Sequence, residues 1–117
     1  MMNDLKELLD RIRNFNKTRD WGQFHSPKNL SISLLIEAAE LAEVFQWLTE
    51  KESINLSGNK MIQAGEEIGD VLIYLLNLAD KLGLDPVDAA YKKLILNEKK
   101  YPVEKARGSA EKYTELK

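Results

Sequence analysis

No cysteine occurs among the 117 residues. That excludes a disulfide framework, a thiolate metal site and a cysteine nucleophile. A single histidine, His25, excludes a zinc site built from several histidines of one chain. The longest stretch free of charge, Val71–Ala79, has nine residues and is too short to span a bilayer. No repeat or low-complexity tract is present. Neither sign of charge dominates: 17 Lys and Arg face 19 Asp and Glu, for a net charge of −2. Nucleic acid and anionic lipid therefore find no general attraction, and neither is expected as a partner. A polyanionic ligand would need a local counter-charge. The first ten residues carry charges from Asp4 onward, so no secretory leader is expected and the cytoplasm is the expected compartment.

What is present is a globular composition, 44% hydrophobic and 31% charged, of a length that suits one domain spanning residues 1–117. Only helical periodicity has any strength, which predicts an all-α domain of four helices. Leu5, Leu8, Leu9, Ile12 and Phe15 define a first helix over about 4–18. Trp21–His25 reads as a loop, after which Ser26 caps a second helix with Pro27 at its first position, running to about Leu48. Ser53–Asn59 reads as another loop. A third helix covers about Lys60–Leu82 and stops at Gly83. Asp85-Pro86 opens a fourth, which Pro102 ends near Lys100. The tail from Val103 is compatible with an extended arm or a short helix.

Two helices carry acids where a core is expected. At about 100° per residue, Leu30, Leu34, Leu41, Val44 and Leu48 fall within about 60° of Glu37, so Glu37 sits in an apolar stripe. Glu40 flanks it, and Trp47 continues the Glu40 row, whereas Glu43 turns toward solvent. On the third helix Glu67, Asp70, Tyr74, Asn77 and Lys81 make one polar row on an otherwise apolar cylinder. A helix apolar nearly all round needs cover on every side, more than one small subunit supplies, so self-association is expected. An acid in a buried stripe must be protonated, paired or metal-bound. Two pairs, Glu37/Glu40 and Glu67/Asp70, brought together would repel strongly without a divalent cation. An oxygen-only donor set suits Mg²⁺, with Mn²⁺ as a substitute. Such a cation commonly serves phosphate chemistry and would supply the missing counter-charge.

With E-x-x-E at Glu37/Glu40 followed by E-x-x-D at Glu67/Asp70, the sequence resembles the all-α nucleoside triphosphate pyrophosphohydrolases, the MazG-like group that includes dCTP pyrophosphatases. The flanks Phe45-Gln46-Trp47, Asp70–Tyr74 and Asn97–Pro102 strengthen the likeness, which runs from Arg19-Asp20-Trp21 to Leu116. It implies a four-helix, MazG-type fold completed by oligomerisation, as a tetramer rather than a dimer. It also implies Mg²⁺-dependent hydrolysis of dCTP or a related or modified dNTP to the monophosphate and pyrophosphate, a house-cleaning activity. The four acids would be the metal-holding and catalytic residues, with Glu37 either the general base or purely a ligand. Lys93, Asn97, Lys100 and Tyr101 would meet phosphate or sugar. Where relatives carry arginine after that asparagine, this chain has Glu98 and lysines, point charges rather than bidentate forks. Trp21 and Trp47 would either stack on the base or pack in the core, and Tyr74 would touch the sugar or order a carboxylate. His25 reads as a capped loop residue. Where some relatives place a polar residue in the first helix, this chain has Ile12 and Phe15. The competing readings are a helical interaction module without turnover and a phosphoribosyl-ATP-type pyrophosphohydrolase.

Overall fold

The computed structural model describes residues 2–117 as helices joined by short connections, with no strand among the described residues. They form two compact units, residues 1–83 and 84–117.

In the first unit α1 spans Met2–Thr18, with Asp4 in its first turn and Lys17 in its last, both complementing the helix dipole. The chain reverses at Asp20, whose φ of 53° is left-handed, a conformation a short polar side chain tolerates. Gln23 Nε2 donates to Asp20 O at 3.0 Å and to Oδ2 at 3.1 Å. A single 3₁₀ turn, Gly22–Phe24, occupies the predicted loop.

Helix α2, Pro27–Phe45, starts as expected: Ser26 Oγ accepts from Asn29 N at 3.2 Å. It ends three residues before the predicted Leu48. The reason lies in Thr49, extended at φ −72°, ψ 162° and engaged in a capping box with Glu52 (Thr49 N to Oε1 2.9 Å, Glu52 N to Oγ1 3.1 Å). This reciprocal cap starts a new helix, α3 (Glu50–Ile54), and so forbids α2 from continuing through it. The segment read as a loop over Ser53–Asn59 is therefore helical at both ends, and Trp47 does not continue the helical row of Glu40.

Helix α4, Gly58–Lys81, begins two residues before the predicted Lys60 and stops at Leu82-Gly83, where Gly83 takes φ 68°. Helix α2 packs along α4, and α1 rests on α4. Leu30 and Val44 from α2, Ala64 and Leu76 from α4 and Ile12 from α1 form the buried core. Two polar pairs fix α1: Arg13 Nε donates to Asp80 Oδ2 at 3.0 Å while its Nη2 meets Oδ1, and Asn16 Nδ2 donates to Asn77 Oδ1 at 2.7 Å. Ile32, Leu35 and Ile36 on α2, with Met61, Ile62, Ile68, Leu72 and Leu75 on α4, remain exposed.

In the second unit α5 spans Pro86–Lys100, opened by Asp85 Oδ1 accepting from Val87 N at 2.9 Å and Asp88 N at 3.2 Å. After Pro102 the tail makes one short helix, α6 (Val103–Ala106), and then runs without a further helix. Tyr113 meets Tyr101 edge-to-face at 6.2 Å, and Lys100 Nζ lies 4.9 Å from the Tyr113 ring, so the tail folds back on the end of α5.

Candidate active site

The packing of α2 on α4 sets Glu37 opposite Glu67 and Asp70. All three are half-buried, and each offers an oxygen within 4.8 Å of the others. Glu37 Oε2 and Glu67 Oε2 are fully enclosed and have no hydrogen-bond partner. Burial, then the neighbouring Glu40, and beyond it Asp70 and Glu67, push the Glu37 carboxyl up to about 7. Burial first, with Glu40 and Asp70 adding repulsion, raises Glu67 as well. None of the salt bridges among the described residues reaches these acids.

Carboxylates this close, with two orphaned enclosed oxygens, fit a hard divalent cation. Such an ion binds oxygen at about 2.1 Å, so its opposing ligands stand about 4 Å apart, a separation that fits within the 4.8 Å enclosing these oxygens. Glu37, Glu67 and Asp70 could therefore hold a metal. Glu40 stays outside this threesome and acts on it through its charge. It lines an adjoining hollow with Glu43, Lys60 and Glu67.

Asp70 also lines a cleft of about 440 Å³ between α1, the 3₁₀ turn and α4. Leu8, Ile12, Phe15 and Trp21 supply its apolar wall, and Tyr74, Asn77, Asn16 and His25 its polar groups. Trp21 is held edge-on to Phe15 at 5.5 Å and to His25 at 6.3 Å. Tyr74 is half-buried, and burial together with the charges of Glu37 and Asp70 raises its pKa, so its hydroxyl stays a donor. Burial and Lys81 lower His25, keeping its ring neutral.

The structure thus brings together Glu37, Glu67, Asp70, Tyr74 and Trp21 from the residues singled out in the sequence, with Glu40 adjacent. Trp47 is 86% exposed on the turn after α2 and lines none of these hollows. Lys93, Asn97, Lys100 and Tyr101 belong to the second unit, where Lys93 and Lys100 are exposed and the Asn97 carbonyl accepts from Tyr101 N at 2.8 Å. Sequence reasoning missed Asn16 and set His25 aside. The available signal for Asn16 was its place one turn beyond Ile12, a polar residue in an apolar row.

The chain is similar in sequence and fold to known pyrophosphatases. Human dCTP pyrophosphatase 1 is 44% identical over 104 residues, covering 87% of this chain, and the bovine protein of that name is 43% identical over the same length. The chain spans 61% of the human relative and 62% of the bovine one. The crystal structure of a pyrophosphatase from Archaeoglobus fulgidus superposes with a TM-score of 0.80 at 44% identity, covering 85% of this chain and 93% of that one. Residues 32–116, which hold all four acids and the motif on α5, match the MazG-like family, and the chain belongs to that family.

Proposed function

We propose that this protein is a nucleoside triphosphate pyrophosphohydrolase that takes dCTP or a related or modified deoxynucleotide and releases the monophosphate and pyrophosphate. One observation carries the reading: Asp70 belongs at once to the carboxylate cluster and to the aromatic cleft. A phosphate chain held at the carboxylates would thus place its base against Trp21. The names of the human and bovine relatives support the substrate class.

Glu37, Glu67 and Asp70, with Glu40 beside them, would hold Mg²⁺, or Mn²⁺ in its place. When bound, the ion neutralises phosphate charge and lowers the pKa of a coordinated water. The reaction adds water to the α-phosphorus and breaks its bond to the bridging oxygen, pyrophosphate leaving. Glu37 would act either as a ligand alone or as the general base that takes a proton from that water. Tyr74 offers its hydroxyl toward the sugar, and Trp21 its ring to the base. The roles proposed for Lys93, Asn97, Lys100 and Tyr101 in phosphate and sugar binding rest on the family motif alone, as does the stacking role of Trp47.

The exposed apolar residues of α2 and α4 support self-association of the chain, and a tetramer in preference to a dimer rests on the family resemblance. No helix among the described residues is long and apolar enough to cross a membrane. A cytoplasmic house-cleaning role rests on the family resemblance. The experiment is a pyrophosphate-release screen of all dNTPs and NTPs with and without Mg²⁺. Mg²⁺-dependent pyrophosphate is expected. Orthophosphate alone, or no turnover of any nucleotide, refutes the reading.

A further inference from the structure

Asn77 is 7% exposed, the one buried polar side chain in the core of the described residues. It stands on a helix whose other buried positions, Ala64 and Leu76, are apolar. An amide there is costly unless something uses it. Its Oδ1 accepts from Asn16 Nδ2 at 2.7 Å, which accounts for one of its groups. The only enclosed partnerless side-chain polar atoms among the described residues are the two glutamate oxygens, so Asn77 Nδ2, which no side chain or carbonyl meets, opens on space. Both asparagines line the cleft that holds Trp21.

We propose that Asn16 and Asn77 form a reversible reader for the edge of a pyrimidine ring. The proposal rests on the reading above, that a nucleotide base enters this cleft. As the pair stands, Asn16 offers an acceptor and Asn77 a donor. If both amides turn over, the bond between them survives with donor and acceptor exchanged, and the pair offers the opposite order. Cytosine and the 4-oxo pyrimidines differ in just this respect. Cytosine carries a donor at its 4-amino group and an acceptor at N3, whereas uracil and thymine carry an acceptor at O4 and a donor at N3. A fixed donor–acceptor pair rejects one of these rings, because a buried polar group is left unpaired. The coupled amide pair accepts either, so the 4-position contributes little discrimination.

An aspartate can only accept. Placed at either position it can hold the other asparagine only by accepting from that residue's Nδ2, which turns the remaining Oδ1 toward the ring. Asn16→Asp and Asn77→Asp therefore present the same edge of two acceptors, against which each ring keeps one bond while its own acceptor meets an oxygen. The test measures kcat/KM for dCTP and dTTP at pH 8, with Kd for their non-hydrolysable α,β-imido analogues and for a base-free deoxyribose triphosphate as further readouts. The native ratio is expected within about tenfold. N16D and N77D are each expected to weaken both nucleotides by about tenfold or more, with the ratio kept within about threefold and the base-free compound unaffected. A native ratio beyond about a hundredfold, variants that move the ratio in opposite senses, a base-free compound weakened as much as the nucleotides, or losses under about threefold overturn the inference. Should N77D fail to fold, N16D is set against Asn16→Ala, which leaves Asn77 free to turn: a larger loss for both rings in the first than in the second supports the reader, and equal losses refute it. Analogue affinities that respond as stated without pyrophosphate release refute the hydrolase reading and leave the reader standing. Pyrophosphate release with unresponsive affinities does the reverse, and analogues that do not bind refute the reader.

Discussion

Replacing Glu37 by glutamine should make the metal-free protein more stable while removing the proposed activity. The Glu37 carboxyl ionises near 7 in the folded chain, against about 4.3 in a free side chain. Below the lower value both folded and unfolded chains hold the proton, and nothing is lost. Between the two, the unfolded chain releases it more readily, so stability falls as pH rises and the full penalty is in place above about 7. At roughly 1.4 kcal/mol per pH unit, the upper bound is about 3 to 4 kcal/mol. The acids are half-buried rather than sealed, and solvent screening leaves about a third to a half of that, about 1–2 kcal/mol. For a chain of this size such a change moves Tm by roughly 3–10 °C. Melting curves in EDTA from pH 5 to pH 8 should show the wild type losing Tm with rising pH and E37Q nearly flat, the variant melting higher at pH 8. Millimolar Mg²⁺ should reverse the order, because binding to the folded state stabilises only a protein that retains its ligands. A wild type whose metal-free Tm is level across that range, or an E37Q melting lower at pH 8 in EDTA, refutes the account.

Trp21→Ala should raise KM for every accepted nucleotide by the equivalent of roughly 1–3 kcal/mol, one stacking contact, with the order of preference kept; an unchanged KM in steady-state assays would place the base elsewhere. Trp47→Ala, at a residue 86% exposed, should alter stability by no more than about 0.5 kcal/mol in denaturant titration. Arg13 holds the Asp80 carboxyl below its usual range, so Asp80→Asn should cost up to about 1 kcal/mol at neutral pH. That difference should be present above about pH 4 and vanish as pH falls through the depressed folded value; a constant difference in melts down to pH 2 would contradict it. Light scattering at micromolar concentration should find an assembly larger than 13.4 kDa and Ile62→Asp should weaken it, whereas a native monomer would contradict the reading of the exposed apolar face.

The fold was legible where one residue type settles a helix end by itself. Ser26-Pro27, Gly83 and Asp85-Pro86 each fix a terminus through a local bond or a fixed dihedral, and the structure places all three as the sequence implies. It was illegible where two residues act jointly. Thr49 and Glu52 look unremarkable singly, and their reciprocal cap, invisible to apolar periodicity, ends α2 early and creates α3. The carboxylates were legible for a related reason: an acid in an apolar stripe contradicts its surroundings, and the contradiction shows in one dimension. Helix spacing alone does not carry distance between helices, so it could not separate Glu40 from the threesome of Glu37, Glu67 and Asp70.

Trp47 and Asn16 show the same limit from opposite sides. Trp47 earned its place by a wheel drawn through a helix that stops at Phe45; two residues beyond that end, the 100° rule no longer applies and the ring stands in solvent. Asn16 falls on a wheel that does apply, since α1 runs unbroken to Thr18. Its meaning comes from Asn77, 61 positions away, without which one amide on a surface helix carries no information. Periodicity reports the face a residue shares with its own helix. The chemistry of this cleft depends on what meets across two helices, and there the acids announced themselves only because charge in an apolar row is costly enough to demand an explanation. A neutral amide costs less, so its function becomes readable only once its partner is seen.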